Sequence, residues 1–215
     1  PPPPTTPWQG APLSTSRIEA RVTPGANGAA EPSLPDKVIA IHDALQEGKI
    51  PHAIGGALAL AYYAEPRATI DIDLNVFIPT ASYPWVIEAL APLGVKVDDL
   101  DQDALERDGQ CRLWWGDNPV DLFFAYDEIH EEMRKETRKV PFADTSLPIL
   151  SPEHLAICKA MFDRPKDWID IEQIRHPFIF SDKASPAEFF AGLRFAASEG
   201  WLRVAASELL VRPIN

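Results

Sequence analysis

Asp71 and Asp73 stand two residues apart in the run Ile70-Asp71-Ile72-Asp73-Leu74-Asn75-Val76-Phe77-Ile78. A strand shows the same face every second residue, so Ile70, Ile72, Leu74, Val76 and Ile78 share one side, and Asp71, Asp73 and Asn75 the other. Two residues span roughly 6.5 Å between α-carbons, which lets both carboxylates converge on one divalent cation or a close cation pair. Upstream, Gly55-Gly56 separates a strand over His52–Ile54 from a helix beginning near Ala57. Free N–H groups and the positive end of such a helix favour a phosphate. A third acid, Asp121, sits among Val120, Leu122, Phe123 and Phe124. Burying it there is costly unless it is paired or bound to metal, and the alternative is a strand-entrance aspartate still touching water.

Taken in order, Gly55-Gly56, Arg67-x-Thr69 and Asp71-x-Asp73 resemble the signature of the nucleotidyltransferase superfamily related to DNA polymerase β. A second constellation follows: Ser151-Pro152-Glu153-x-Leu155, the helical Lys159, Arg164-x-Lys166-Asp167 and Asp170. It resembles the second half of the AbiEii-type nucleotidyltransferase-like proteins, which include the MenT toxins of toxin-antitoxin systems. Together the two resemblances span about Ile50 to Ile174.

The resemblance implies transfer of a nucleoside monophosphate from an NTP to an acceptor hydroxyl, with release of pyrophosphate. Asp71 and Asp73 would bind Mg²⁺ (or Mn²⁺), and Asp121 would complete the site and lower the pKa of the attacking hydroxyl. Gly55, Gly56, Lys159 and Lys166 would hold the triphosphate, with Arg164, Asp167 and Asp170 in the same nucleotide-binding set. Arg67 and Thr69 would shape the approach to the carboxylate strand. A flexible ammonium can follow charge onto leaving pyrophosphate; the plainer reading, stronger for Lys166 beside Asp167 and Asp170, is the salt-bridge face of a surface helix. Family members often have Gly-Ser where this chain has Gly55-Gly56, so only backbone N–H groups remain for the phosphate. A tRNA 3′ end is the implied acceptor, with a cognate antitoxin protein as partner. An aminoglycoside-type small-molecule nucleotidyltransferase and a non-catalytic nucleotide-binding or antitoxin-like module are the alternatives.

The elements that must position these residues are an α/β (α+β) core, a mixed sheet of nucleotidyltransferase type with flanking helices, and a helical C-terminal region. Residues 1–33 read as a flexible Pro/Gly/Ala-rich arm, 34–150 as the core and 151–215 as the helical region. A helix is expected from about Pro35 to a stop at Gly48, with His42 on its apolar face as packing. Others are expected over Ala81–Leu93 with Gly94 as C-cap, and over Asp127–Thr137 with Glu131 and Lys135 paired. Val95–Val97 reads as a short strand, Asp98–Gly109 as an acidic helix or loop, and Gln110–Trp115 with Val120–Tyr126 as a hairpin. His176-Pro177 is expected to break the second constellation's helix, and Ser185-Pro186 to begin another.

A length of 215 residues suits one sizeable core with an appendage. The net charge of −12 argues against non-specific coating of nucleic acid. Arg134, Lys135, Arg138 and Lys139 form the one dense basic cluster, a guide for any polyanion. Cys111 and Cys158 lack a metal-type spacing and read as reduced thiols. No apolar run approaches the length of a membrane span, and a cytoplasmic location is expected.

Overall fold

The computed structural model describes residues 31–97, 100, 102–162 and 164–180. The arm over residues 1–30 and the helix expected from Ser185 lie outside them. The chain divides into two compact units. One takes in the described residues of Pro1–Ile54 and Ile70–Ile149, the other those of Gly55–Thr69 and Leu150–Asn215.

The first unit is built on a six-stranded mixed sheet. Its strands are β1 (His52–Ile54), β2 (Ile72–Pro79), β3 (Gln110–Trp115), β4 (Asn118–Ala125), β5 (Arg138–Phe142) and β6 (Thr145–Ile149), in the spatial order β3-β4-β2-β1-β6-β5. Helix α1 (Leu34–Glu47) opens the unit. Ser33 caps it through a reciprocal box with Asp36, and Pro35 occupies the first turn, where its missing N–H costs nothing. Gly48 is the C-cap, as its position predicts, but the left-handed residue is Lys49, at φ 53°. Ile50 N–H reaches back to Leu45 O (2.8 Å) and Lys49 N–H to Gln46 O (3.0 Å), which closes a Schellman turn and buries Ile50.

The aliphatic alternation of β2 holds as read: Ile72, Leu74, Val76 and Ile78 are buried. Asn75 and Phe77 on the opposite face are buried too, because β2 lies inside the sheet and is covered on both sides. The strand starts at Ile72, so Asp71 precedes it, and Ile70 is 62% exposed rather than part of the stripe. The carbonyl of Ile70 accepts from the Asn118 side chain (2.8 Å).

The covering helix is shorter than its pattern. Helix α3 (Tyr83–Leu90) is flanked by 3-10 turns, and Gly94 closes the second at φ 86°. Val95–Val97 contributes an isolated bridge, Lys96 to Trp114, in place of a strand, and the acidic stretch forms α4 (Gln102–Asp108). Helix α5 (Glu128–Lys135) pairs Arg134 with Glu131 and Lys135 with Glu132. Lys135 thus takes the acid three residues back instead of Glu131, since Arg134 already holds Glu131 by two hydrogen bonds.

The second unit is helical: α2 (Gly56–Leu60), α6 (Pro152–Phe162) and α7 (Pro165–Phe180). The Tyr63 hydroxyl donates to Leu150 O (2.8 Å) and ties the α2 segment to the start of α6. Helix α7 continues through His176-Pro177, against the sequence expectation. A proline removes one backbone hydrogen bond and bends a helix, but the turns around it keep theirs.

Candidate active site

Strands β2 and β4 run parallel with Asp73 opposite Asp121 and Ile72 opposite Val120. Residues in register on neighbouring strands project to the same face, so the Asp73 and Asp121 carboxylates emerge side by side while Ile72, Val120, Leu74 and Leu122 anchor the strands from the other. Asp71 enters just before β2, and all three acids are half-buried. The connection into β2 is held by a short relay. The Lys37 ammonium, 1% exposed, donates to Asn118 Oδ1 (2.7 Å), Trp115 O (2.9 Å) and Glu31 (2.5 Å), and Asn118 Nδ2 donates in turn to Ile70 O.

Arg112 completes this group. On β3 it pairs with Asp121 across the antiparallel ladder, and its guanidinium makes a two-pronged ion pair, Nε to Oδ1 and Nη2 to Oδ2, both 2.7 Å. Its pKa is raised, chiefly by that hydrogen-bonded pair and further by the charges of Asp121, Asp71 and Asp73. Three carboxylates therefore act on one cation supplied by the chain itself. Burial, and then the Asp121 charge, push the neighbouring Cys111 thiol up to about 11, so it is no nucleophile at neutral pH.

Sequence reasoning missed Arg112, although a signal was present. With Gly116-Asp117 as a two-residue turn (Gly116 at φ 59°), Trp115 must face Asn118, and counting back places Arg112 opposite Asp121. Among the described residues, no group of three or more His, Cys, Asp and Glu is arranged to hold a metal ion as it stands. The donor chemistry does fit one: hard carboxylate oxygens from Asp71 and Asp73, with Asp121 in register beside them and both its oxygens turned to a cation.

The residues of the other motif halves lie in the second unit. Gly55 caps α2 with its carbonyl accepting from Ala59 N–H (3.0 Å), and Gly56 adopts φ 54°. Helix α2 has five residues. Lys159 is 5% exposed; its ammonium lies 2.7 Å from Asp170 and 3.8 Å from Asp167, both buried. Arg67 donates to Asp170 (3.2 Å), and Arg164 grips Asp167 through Nε (2.6 Å) and Nη2 (3.1 Å). Asp167 also accepts from the Arg164 N–H (3.3 Å) at the start of α7. These five residues form one neutralising network of three cations and two acids. Thr69 is half-buried beside it in sequence, and Lys166 is exposed.

His42 and His52 pair through Nδ1 and Nε2 (2.8 Å). His52 Nδ1 faces Ile50 O (2.8 Å), so it carries the proton, and His52 Nε2 accepts from His42 Nδ1–H. Burial lowers both pKa values, that of His52 to about 4. The two rings line a cavity of about 330 Å³ with Gln46, Lys49, Lys139 and Ser146. Across the β1–β2 ladder His52 faces Val76, three residues beyond Asp73, so this cavity is distinct from the carboxylate face.

No protein-family model matches the sequence, and a search of curated proteins finds no match. Solved structures do match. The solution structure of the antibiotic-resistance factor ANT(2'')-Ia is similar at 20% identity and a TM-score of 0.52, covering 78% of this chain and 94% of that one. Crystalline ANT(2'')-Ia in complex with adenylyl-2''-tobramycin is similar at 19% identity and a TM-score of 0.51, over 74% of this chain and 94% of that one. The lincomycin-bound lincosamide antibiotic adenylyltransferase LnuA is similar at 14% identity and a TM-score of 0.47, over 65% and 94%. The likeness to the ANT(2'')-Ia structures is one of fold, and it assigns the mixed sheet and its helices to the nucleotidyltransferase type.

Proposed function

We propose that the chain is a divalent-metal-dependent nucleotidyltransferase that moves a nucleoside monophosphate from an NTP to an acceptor hydroxyl. The observation that carries this reading is the in-register pair Asp73 and Asp121 on adjacent parallel strands, with Asp71 immediately upstream. Asp71 and Asp73 would hold Mg²⁺ or Mn²⁺, whose chemistry is to neutralise phosphate charge and clamp attacking and leaving oxygens in line. Asp121 would complete that metal site and lower the pKa of the attacking hydroxyl.

For the acceptor, a small polycationic molecule is favoured. The net charge of −12 attracts cations, and tobramycin, named in one of the similar complexes, carries several amines. Two residues of the basic cluster, Arg134 and Lys135, are spent on Glu131 and Glu132. The second reading, a tRNA 3′ end with a cognate antitoxin as partner, rests on the AbiEii-type resemblance and on Arg138 and Lys139 along β5.

Incubation with Mg²⁺, each α-labelled NTP and either an aminoglycoside panel or total tRNA separates the two. Label on the small molecules, unchanged when Arg134, Lys135, Arg138 and Lys139 become Ala, supports the first reading. Label on tRNA that disappears in that quadruple variant replaces it with the second, and label on neither acceptor contradicts the enzymatic reading.

A further inference from the structure

We propose that Arg112 is the internal counter-ion of the three carboxylates, holding Asp121 in place in the metal-free protein and competing with the divalent cation for it. The inference rests on the metal-carboxylate reading above and adds Arg112, a residue outside both sequence motifs. Its ground is geometric. Asp121 offers two oxygens, and the Arg112 fork takes both at 2.7 Å, so neither can enter a metal's coordination sphere without loss of at least one of those bonds. The strand ladder fixes the pair, because Arg112 and Asp121 are directly opposite on β3 and β4, while Asp73 is directly opposite Asp121 on the other side. One row across three strands thus reads cation, acid, acid.

Two like charges on adjacent strands repel unless a cation is shared between them. The Arg112 side chain is 54% exposed and that of Asp121 17%, so the guanidinium can swing toward solvent while the carboxylate stays. Its Cζ also lies 6.0 Å from the centre of the Trp114 ring, an aromatic face on the same strand that the guanidinium already touches while paired. Metal arrival and Arg112 departure are then one exchange: a divalent cation replaces a guanidinium against the same acids. Salt weakens the exposed pair and so narrows the competition.

The test uses the full chain and reads metal binding and folding, not turnover. Mn²⁺ binding is followed by electron paramagnetic resonance, and melting temperature is measured in EDTA and in Mn²⁺, for the parent protein, Arg112→Gln, Arg112→Lys and Asp73→Asn. Arg112→Gln is expected to melt lower than the parent in EDTA, to bind Mn²⁺ roughly tenfold more tightly, and to gain more in melting temperature from the metal. Arg112→Lys, which keeps the charge but loses the fork, is expected to fall between the two, and it carries the test if the Gln variant does not fold.

Parent binding that is lost in Asp73→Asn but unchanged or weaker in both Arg112 variants overturns the counter-ion proposal and leaves the metal reading standing. Mn²⁺ bound by neither the parent nor Arg112→Gln overturns the metal reading, and the competition with it. An Arg112→Gln melting temperature equal to the parent's in EDTA overturns the holding role.

Discussion

Lys159 offers a sharp test of what the second constellation does. Its side chain is 6% exposed and its ammonium sits between Asp170 (5% exposed) and Asp167 (0%). Replacement by Met keeps the stem's volume and apolar packing but leaves two buried carboxylates short of a charge. Removing one partner of a buried pair costs about 3–5 kcal/mol. Here each acid retains a second cation, Arg67 on Asp170 and Arg164 on Asp167, so the lower end applies, about 3 kcal/mol. For a chain of this length that is a fall of roughly 6–12 °C in melting temperature. Calorimetric melts and urea titrations of Lys159→Met, Asp170→Asn and the double variant give the coupling directly. The double variant should recover roughly 1–3 kcal/mol relative to the sum of the singles. If Lys159→Met lay within about 0.5 kcal/mol of the parent, the ammonium would not be holding those acids and the reasoning would fail.

Further outcomes follow from the first unit. His52 has a folded pKa near 4 against 6.5 unfolded, so between those values the unfolded chain binds more protons and stability falls as pH drops through the window. The loss should reach about 3 kcal/mol by pH 4, and His52→Gln should flatten that part of a stability-pH profile. Asn118→Ala removes one of the three acceptors of Lys37 and the donor to Ile70 O, and should cost about 1–3 kcal/mol in urea unfolding and speed hydrogen exchange at the start of β2. Lys49→Gly relieves a left-handed residue at a Schellman turn and should raise stability by about 1 kcal/mol, read as a higher urea midpoint at unchanged slope.

Local periodicity made much of this fold legible. The aliphatic stripe of β2, the capped α1 and the hairpin of β3 and β4 each follow from residues close in sequence, and the elements lie where the patterns put them. Boundaries failed where a long-range contact decides: Ile70 leaves the stripe because Asn118, 48 residues away, captures its carbonyl. Charge roles were the hardest to read. Asp167 and Asp170 have the i,i+3 spacing of a solvated helix face, Lys159 stands in the last turn of the preceding helix and Lys37 follows Asp36 in the first turn of α1, yet all four are buried. Nothing local distinguishes a lysine that faces water from one whose partners arrive from another element. The carboxylate row was half visible, since Asp71-x-Asp73 is a pattern along one strand, whereas its pairing with Asp121 requires the strand order β4-β2.

The central claim is that the Asp71, Asp73 and Asp121 face handles a metal-bound triphosphate. Pyrophosphate release from Mg²⁺-NTP in the presence of an accepted hydroxyl tests it most directly, measured for the parent and for Asp73→Asn with matched melting curves. The account predicts that Asp73→Asn, which keeps the shape but removes the charge that binds Mg²⁺, stays folded and loses release by at least roughly a hundredfold. Release at the parent's rate from folded Asp73→Asn would contradict it.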